Sequence, residues 1–411
     1  MTKLGYKTTE IGEIPEEWAC HAIGDPEISE NTKAGGTPLR SKKEYYENGN
    51  IPFVKIADIV NSGKYLDNTA DKINENGIKN SSSWITPPYS ILFSMYASYG
   101  ELTINKVPIA TNQAILSIIP NKSNIDLEYF YYQLKFLKPR LVKYLRYTTQ
   151  NNLNAGVVNS LIIPVAPLPE QQKIAEILSA ADDEIQKVNE QIVLTEQLKK
   201  GLMQRLLTRG IGHTKFKMTE IGEIPEEWGY KPLSEVGQYI NGMAFKPSEW
   251  RNQGLPIVRI ENLNDINASF NYYQGEFDSK YILQNGDILL SWSASLGVYI
   301  WNRGKALLNQ HIFKVIPTEN ISKQFLYWIL HRAIEGLGQA THGSTMKHFK
   351  KGELKQALIV LPPLPEQQKI AVILSTVDNK IQLLRNKREE LNVLKNGLMN
   401  DLLTGKVRVK V

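Results

Sequence analysis

Two strings recur in this chain, and the recurrence limits the folds open to it more than any other feature. PLPEQQKIA spans Pro167–Ala175 and again Pro363–Ala371, an offset of 196 residues. TEIGEIPEEW spans Thr9–Trp18 and Thr219–Trp228, an offset of 210. Identities of this length do not arise by chance within 411 residues. The chain is a duplication, so it must fold as two copies of one plan.

Weaker matches fill the intervals. IPFVKIADI (Ile51–Ile59) answers to LPIVRIENL (Leu255–Leu263), and SILFSMYASYGE (Ser90–Glu101) to DILLSWSASLGV (Asp287–Val298). IATNQAILSIIP (Ile109–Pro120) answers to LLNQHIFKVIP (Leu307–Pro317). Each half reads as a short lead-in, a globular block and a long C-terminal segment. The blocks are rich in short β-type runs punctuated by Gly, Pro, Asn and Asp. One helical stretch interrupts each, DLEYFYYQLKFLKPRL and SKQFLYWILHRAIEGL. The pattern predicts an α+β fold in four parts, with blocks at 1–166 and 211–362 and long helices at 167–210 and 363–411. The block sequences have diverged far more than their surroundings, so the two blocks are not doing an identical job.

The long segments carry a heptad seam. Ile174, Leu178, Ala181, Ile185, Val188, Ile192 and Thr195 fall at alternating spacings of four and three. The second copy runs Ile370, Leu374, Val377, Ile381, Leu384, Arg388 and Leu391, broken by one charge. Both then shift phase, to Leu198–Leu202–Leu206 and Leu394–Leu398–Leu402. Pro169 and Pro365 suit a first helical turn, Glu170 and Glu366 complement its dipole, and Gly210 and Gly405 sit where caps fall. One such helix cannot bury its seam alone. Two can bury it against each other, and pseudo-two-fold symmetry would make the pair an antiparallel coiled coil with one block at each end.

Composition adds bounds. Apolar and charged fractions of 42% and 22% are those of an ordinary globular protein. No run of apolar residues is long enough to span a membrane, and MTKLGYKTTE lacks the apolar core of a signal peptide. A single cysteine, Cys20, permits no internal disulfide framework. A cytoplasmic protein with no membrane partner is expected. The net charge of +6 permits a polyanion partner without requiring one.

The order block, helix, block, helix resembles the specificity subunit of a type I restriction–modification system. PLPEQQKIA and GEIPEEW are typical of that family, and GGTP (Gly35–Pro38), AFKPSEW (Ala244–Trp250) and GDILLSWSAS (Gly286–Ser295) resemble its target recognition domains. The resemblance covers essentially the whole chain. It implies that each block reads one half of a bipartite, asymmetric site in double-stranded DNA, while the helices fix the spacing. It also implies docking of two modification (methyltransferase) subunits, with motor-nuclease restriction subunits recruited through them. S-adenosylmethionine, ATP and Mg²⁺ would then belong to the partners, and no cofactor to this chain.

Cationic side chains suit phosphates, while Arg, Asn, Gln, Ser and Thr near base edges supply readout. In the first block the candidates are Lys33, Thr37, Arg40, Ser41 and Lys42, then Ser94, Tyr96, Ser98 and Tyr99. Arg146, Tyr147, Thr148, Gln150, Asn151 and Asn152 complete that set. In the second block they are Lys246, Arg259, Asn262, Trp292, Ser293 and Arg303, with Thr341, His342, Ser344, Lys347, His348, Lys350 and Lys351. Asn112–Gln113 and Asn309–Gln310 recur at matching positions. Blocks that read different bases would not share reading residues, so the pair is read as structural.

No catalytic constellation emerges. TPPY (Thr86–Tyr89) has Thr where an amino-methyltransferase loop needs an Asn or Asp carbonyl, and is read as a turn. GELK (Gly352–Lys355) lacks the Asp partner of a metal-dependent nuclease, and no phosphate-binding loop is present. Six histidines and one cysteine match no metal-ligand spacing and offer no metal site. The expectation is a non-catalytic subunit. The alternatives are a coiled-coil interaction scaffold or an independent DNA-binding regulator.

Overall fold

The structure, a computed structural model, describes residues 4–145, 153–293, 296–340 and 357–410. The chain forms two compact units, one of Met1–Asn189 with Asn386–Val411, the other of Glu190–Arg385. The division cuts both long helices, Leu168–Arg209 and Leu364–Leu402, near their middles. Each unit therefore owns one block, the first half of one helix and the second half of the other.

In the first unit, Tyr6–Thr9 and Gly12–Pro15 form a hairpin that delivers Trp18 into the core. Ala19–Ala22 then pairs antiparallel with Ile162–Val165, next to the head of the first long helix. Between them lies a five-stranded sheet in the order Ser29–Ala34, Ile115–Pro120, Ile91–Ser94, Leu102–Asn105, Tyr65–Leu66. A smaller sheet holds Ala110–Thr111, Ile51–Val54 and Lys72–Ile73. Asp126 caps the helix Leu127–Leu137, its Oδ1 accepting from the Glu128 and Tyr129 amides at 3.0 and 2.9 Å. Tyr129, Phe130, Tyr132 and Leu134 of that helix join Ile174 and Leu178 of one long helix and Met399, Leu402 and Leu403 of the other in one core.

The second unit repeats the plan. Phe216–Thr219 pairs with Gly222–Pro225, Gly229–Pro232 with Leu358–Leu361, and Trp228 is fully buried. Its larger sheet has four strands, Gly237–Asn241, Ile312–Pro317, Asp287–Ser291 and Gly297–Trp301. The core gathers Phe325, Trp328 and Ile329 of Lys323–Ala340 with Ile370, Leu374, Met203, Leu206 and Leu207 from the long helices.

Within each unit the two helix halves run antiparallel, and ion pairs fix their register. In the first unit Asp182 pairs with Lys395 and Glu184 with Lys387. In the second Asp378 pairs with Lys199 and Glu196 with Arg385. Asp182 and Asp378 are 196 residues apart, as are Lys199 and Lys395, so the duplication repeats this contact.

The pairing corrects one part of the expected seam. Leu198 and Leu394 are 54% and 56% exposed, and their neighbours Lys199 and Lys395 turn inward instead. The four-residue slip falls between these lysines and Met203 or Met399. Lys395 is only 7% exposed, and burial lowers its pKa despite Asp182. Arg388 occupies its seam position half-buried.

Asp182→Ala leaves the Lys395 ammonium buried without its counter-charge and is expected to cost about 3–5 kcal/mol in chemical denaturation. Asp182→Leu with Lys395→Leu should recover most of that loss, and equal losses for both variants would contradict the buried pair. A second prediction concerns His331, on the helix Lys323–Ala340. Its Nε2 is buried without a hydrogen-bond partner. Burial, with Lys199 nearby, lowers its pKa to about 4, against the opposing pull of Asp378 and a backbone bond to Val298. The folded imidazole thus resists a proton that the unfolded one takes up near its ordinary 6.5. Stability is expected to fall as pH drops from about 6.5 towards 4, by at most about 3 kcal/mol, and His331→Phe should flatten that slope. An unchanged slope in the variant would assign the acid sensitivity elsewhere.

Candidate nucleic-acid interface

Each block turns one end of its larger sheet into a cluster of polar loops. In the first unit the pairings Leu116↔Ala34 and Ile115↔Ser94 place the loops after Ala34, before Ile115 and after Ser94 at the same end. Met95 N–H donates to Ala114 O at 2.8 Å, and Leu153 N–H to Met95 O at 2.9 Å, closing the group. Gly35 and Gly36 fit because a Cβ would meet Thr111 O at 2.1 Å and Ser82 Oγ at 2.2 Å.

Of the residues proposed from sequence, Lys33 lies over the Trp84 ring at 5.2 Å, exposed at its head. Thr37 Oγ1 donates to Gln113 Oε1 at 2.5 Å. Arg40, Ser41 and Lys42 are exposed along the adjoining loop, with Lys42 3.5 Å from Glu44 and over the Tyr45 ring. Ser98 is exposed, while Tyr96 and Tyr99 are half-buried against the core. Ser94 is fully buried, donating to Tyr96 O at 3.1 Å, so it braces the loop from inside. Arg146, Tyr147, Thr148, Gln150, Asn151 and Asn152 lie outside the described residues.

In the second unit the matching sheet end carries Asn241, Trp292, Ser293 and the turn Asn309–Ile312. Lys246 is exposed on the loop that leaves Asn241. Arg259 lies over the Trp250 ring at 4.8 Å and pairs with Glu261. Two expected candidates are spent on the fold instead. Asn262 is 3% exposed, accepting from Arg259 N–H at 3.0 Å and donating to Ser269 O at 3.0 Å. Arg303 donates to Asn262 O and Ile266 O, both at 3.0 Å, and covers Phe270. Thr341, His342, Ser344, Lys347, His348, Lys350, Lys351 and the GELK string lie outside the described residues.

The recurring asparagines have backbone work. Asn112 Oδ1 accepts from Ala114 N–H at 3.1 Å, and Asn309 Oδ1 from Gln310 N–H at 2.7 Å. Thr86 is fully buried, its hydroxyl 2.8 Å from Ser117 Oγ, and Tyr89 has a φ of 62°. Trp84 and His311 were not anticipated. A lone Trp between Ser83 and Ile85 carries no pattern that marks it as a platform for a distant lysine, and the backbone angle at His311 leaves no trace in composition.

Comparison with known proteins follows the same duplication. The domain family described as the type I restriction modification DNA specificity domain matches residues 15–196 and 225–393. The chain belongs to that family. It is 30% identical to the type I restriction enzyme MjaVIII specificity subunit of Methanocaldococcus jannaschii, across 97% of this chain and 94% of the relative. The putative MjaX specificity subunit of the same organism is 31% identical, across 98% and 97%. Among solved structures, the S subunit of a type I restriction–modification system from M. genitalium matches 94% of this chain and 96% of its own, with a TM-score of 0.57 at 15% identity. A chain from a study of complex assembly and conformational transition in the type I system matches 96% and 99%, with a TM-score of 0.58 at 18% identity. The two-block, two-helix plan is thus the architecture of this family. Among the described residues, no group of three or more His, Cys, Asp or Glu could hold a metal ion, and no helix is long and apolar enough to cross a membrane.

Proposed function

We propose that this chain selects the DNA sequence on which a type I restriction–modification complex acts, each block reading one half of a split, asymmetric site. One observation carries the reading: the frame repeats its central contacts, Trp18–Glu170 as Trp228–Glu366 and Asp182–Lys395 as Asp378–Lys199, while the polar loops at the two sheet ends differ. Lys33 over Trp84 and Thr37 on Gln113 mark one end, whereas Trp292, Asn241 and His311 mark the other. A palindromic site would need only one reader used twice; two readers in one chain suit an asymmetric site.

Two modification subunits would dock on the two equivalent scaffold surfaces and bring S-adenosylmethionine, with motor-nuclease subunits adding ATP and Mg²⁺ chemistry through them. This chain's part is recognition and positioning. Its cations hold the duplex by phosphate contacts, so binding should weaken steeply with salt. Gripping both half-sites presents one target base to each methyltransferase, which takes it out of the stack.

Genome-wide adenine methylation, compared with the gene present and deleted beside its methyltransferase gene, tests the proposal. A split motif that disappears on deletion is expected. Methylation that is unaffected by the deletion would contradict the reading function and favour a scaffold.

A further inference from the structure

The turn Asn309–Ile312 of the second unit holds a backbone conformation that its frame does not require. His311 has a φ of 125°, a region that side-chain-bearing residues rarely adopt. The turn is held on both flanks: Met243 N–H donates to Leu308 O and Gln310 N–H to Met243 O, each at 2.9 Å. The first unit builds the same turn, with Ile115 N–H donating to Asn112 O at 3.2 Å as Ile312 N–H does to Asn309 O. There the matching residue is Ala114, which is buried and has no positive φ. The scaffold therefore forms without strain, and the exposed imidazole in the second unit serves another purpose.

Its surroundings indicate which. His311 meets the Trp292 ring edge-on at 5.1 Å, and its carbonyl accepts from Trp292 N–H at 3.2 Å. Trp292 is itself fixed by its indole N–H donating to Asn241 Oδ1 at 3.3 Å. Beside the imidazole opens a cavity of about 240 Å³, lined by Arg259, Ile260, Glu261, Asn309, His311 and Ile312. The Arg259 side chain in its wall is 28% exposed, and its guanidinium pairs with Glu261. Donors from a guanidinium and an imidazole thus stand beside a carboxylate acceptor.

We propose that His311 is a base-reading residue of the second block and that the cavity beside it receives the groove edge of a G·C pair. The proposal rests on the sequence-reading function above. Guanine presents two acceptors in the major groove, which suit His311 and Arg259, and cytosine presents an amino donor, which suits Glu261. An A·T edge would set the adenine amino group, itself a donor, where guanine offers O6 to these donors. The strained turn holds the ring out from the sheet, where a duplex can meet it.

The methylated motif is mapped for wild type, His311→Ala and His311→Gly in the same host. Both variants are expected to lose selectivity at one G·C position of one half-site, with discrimination there falling about tenfold. The other half-site and the gap stay unchanged. Glycine adopts a positive φ without cost, so purified His311→Gly should melt no lower than wild type, and its loss of selectivity then cannot come from misfolding. An unaltered motif in both variants overturns the role of His311 while leaving the reading function intact. Degeneracy at an A·T position overturns the base-pair assignment. Loss of both half-sites with a lowered melting temperature in His311→Gly makes the residue structural. A wild type with no split motif refutes the reading function, and this proposal with it.

Discussion

A carboxylate held by an indole N–H at the head of each long helix is the contact on which the rest depends. Glu170 is 2% exposed, and its Oε2 accepts from the Trp18 indole N–H at 3.0 Å. Arg408 closes the other side, with Nε 2.7 Å from Oε1 and Nη2 2.9 Å from Oε2. A carboxylate buried in this way is stable only when paired and hydrogen-bonded, and the helix dipole adds to the balance. Glu366 repeats the contact in the second unit, accepting from the Trp228 indole at 2.9 Å and the Ile211 amide at 2.9 Å, with His213 in place of the arginine. Gly210 makes room, since a Cβ there would lie 2.5 Å from Glu366 Oε1. The two recurring strings are thus halves of one device. The Trp of GEIPEEW is held by the Glu of PLPEQQKIA, which is why they are kept together.

The following residue extends the device into the block. Gln171 accepts from Asp126 N–H at 2.8 Å and donates to Asn124 O and Ala166 O. Gln367 does the same with Ser322 N–H at 2.9 Å, Asn320 O and Pro362 O. In each unit one glutamine ties the helix head to the start of the block's own helix and to the strand that returns from it. Sheet and helix are thereby held in one orientation, and the loops at the sheet end inherit that rigidity. A reader of bases needs such a mounting, because hydrogen-bond discrimination fails when donors stray by an ångström or so.

Much of this was legible in the sequence, for physical reasons. Duplication set the plan, and heptad periodicity set the helices, because burying a seam requires spacings of three and four. What escaped was contact across sequence. The Trp18–Glu170 bond joins strings 152 residues apart. Hydrophobicity favoured Leu198 and Leu394 for the seam, yet the inward positions belong to lysines whose charges are met by Asp378 and Asp182. Composition likewise drew Ser94, Asn262 and Arg303 towards the interface, where the fold uses their polar groups to satisfy its own backbone. His311 was passed over because an isolated histidine carries no spacing signal.

We propose that the duplicated frame holds two different readers and that helix length sets the gap between the half-sites they read. The test removes one heptad from the middle of each long helix and maps the methylated motif. Seven residues rise about 10 Å, close to three base pairs. Both half-sites are expected to persist while the gap between them changes by about that amount, or methylation to be lost when no spacing can be met. A motif with its gap unchanged would contradict the proposal.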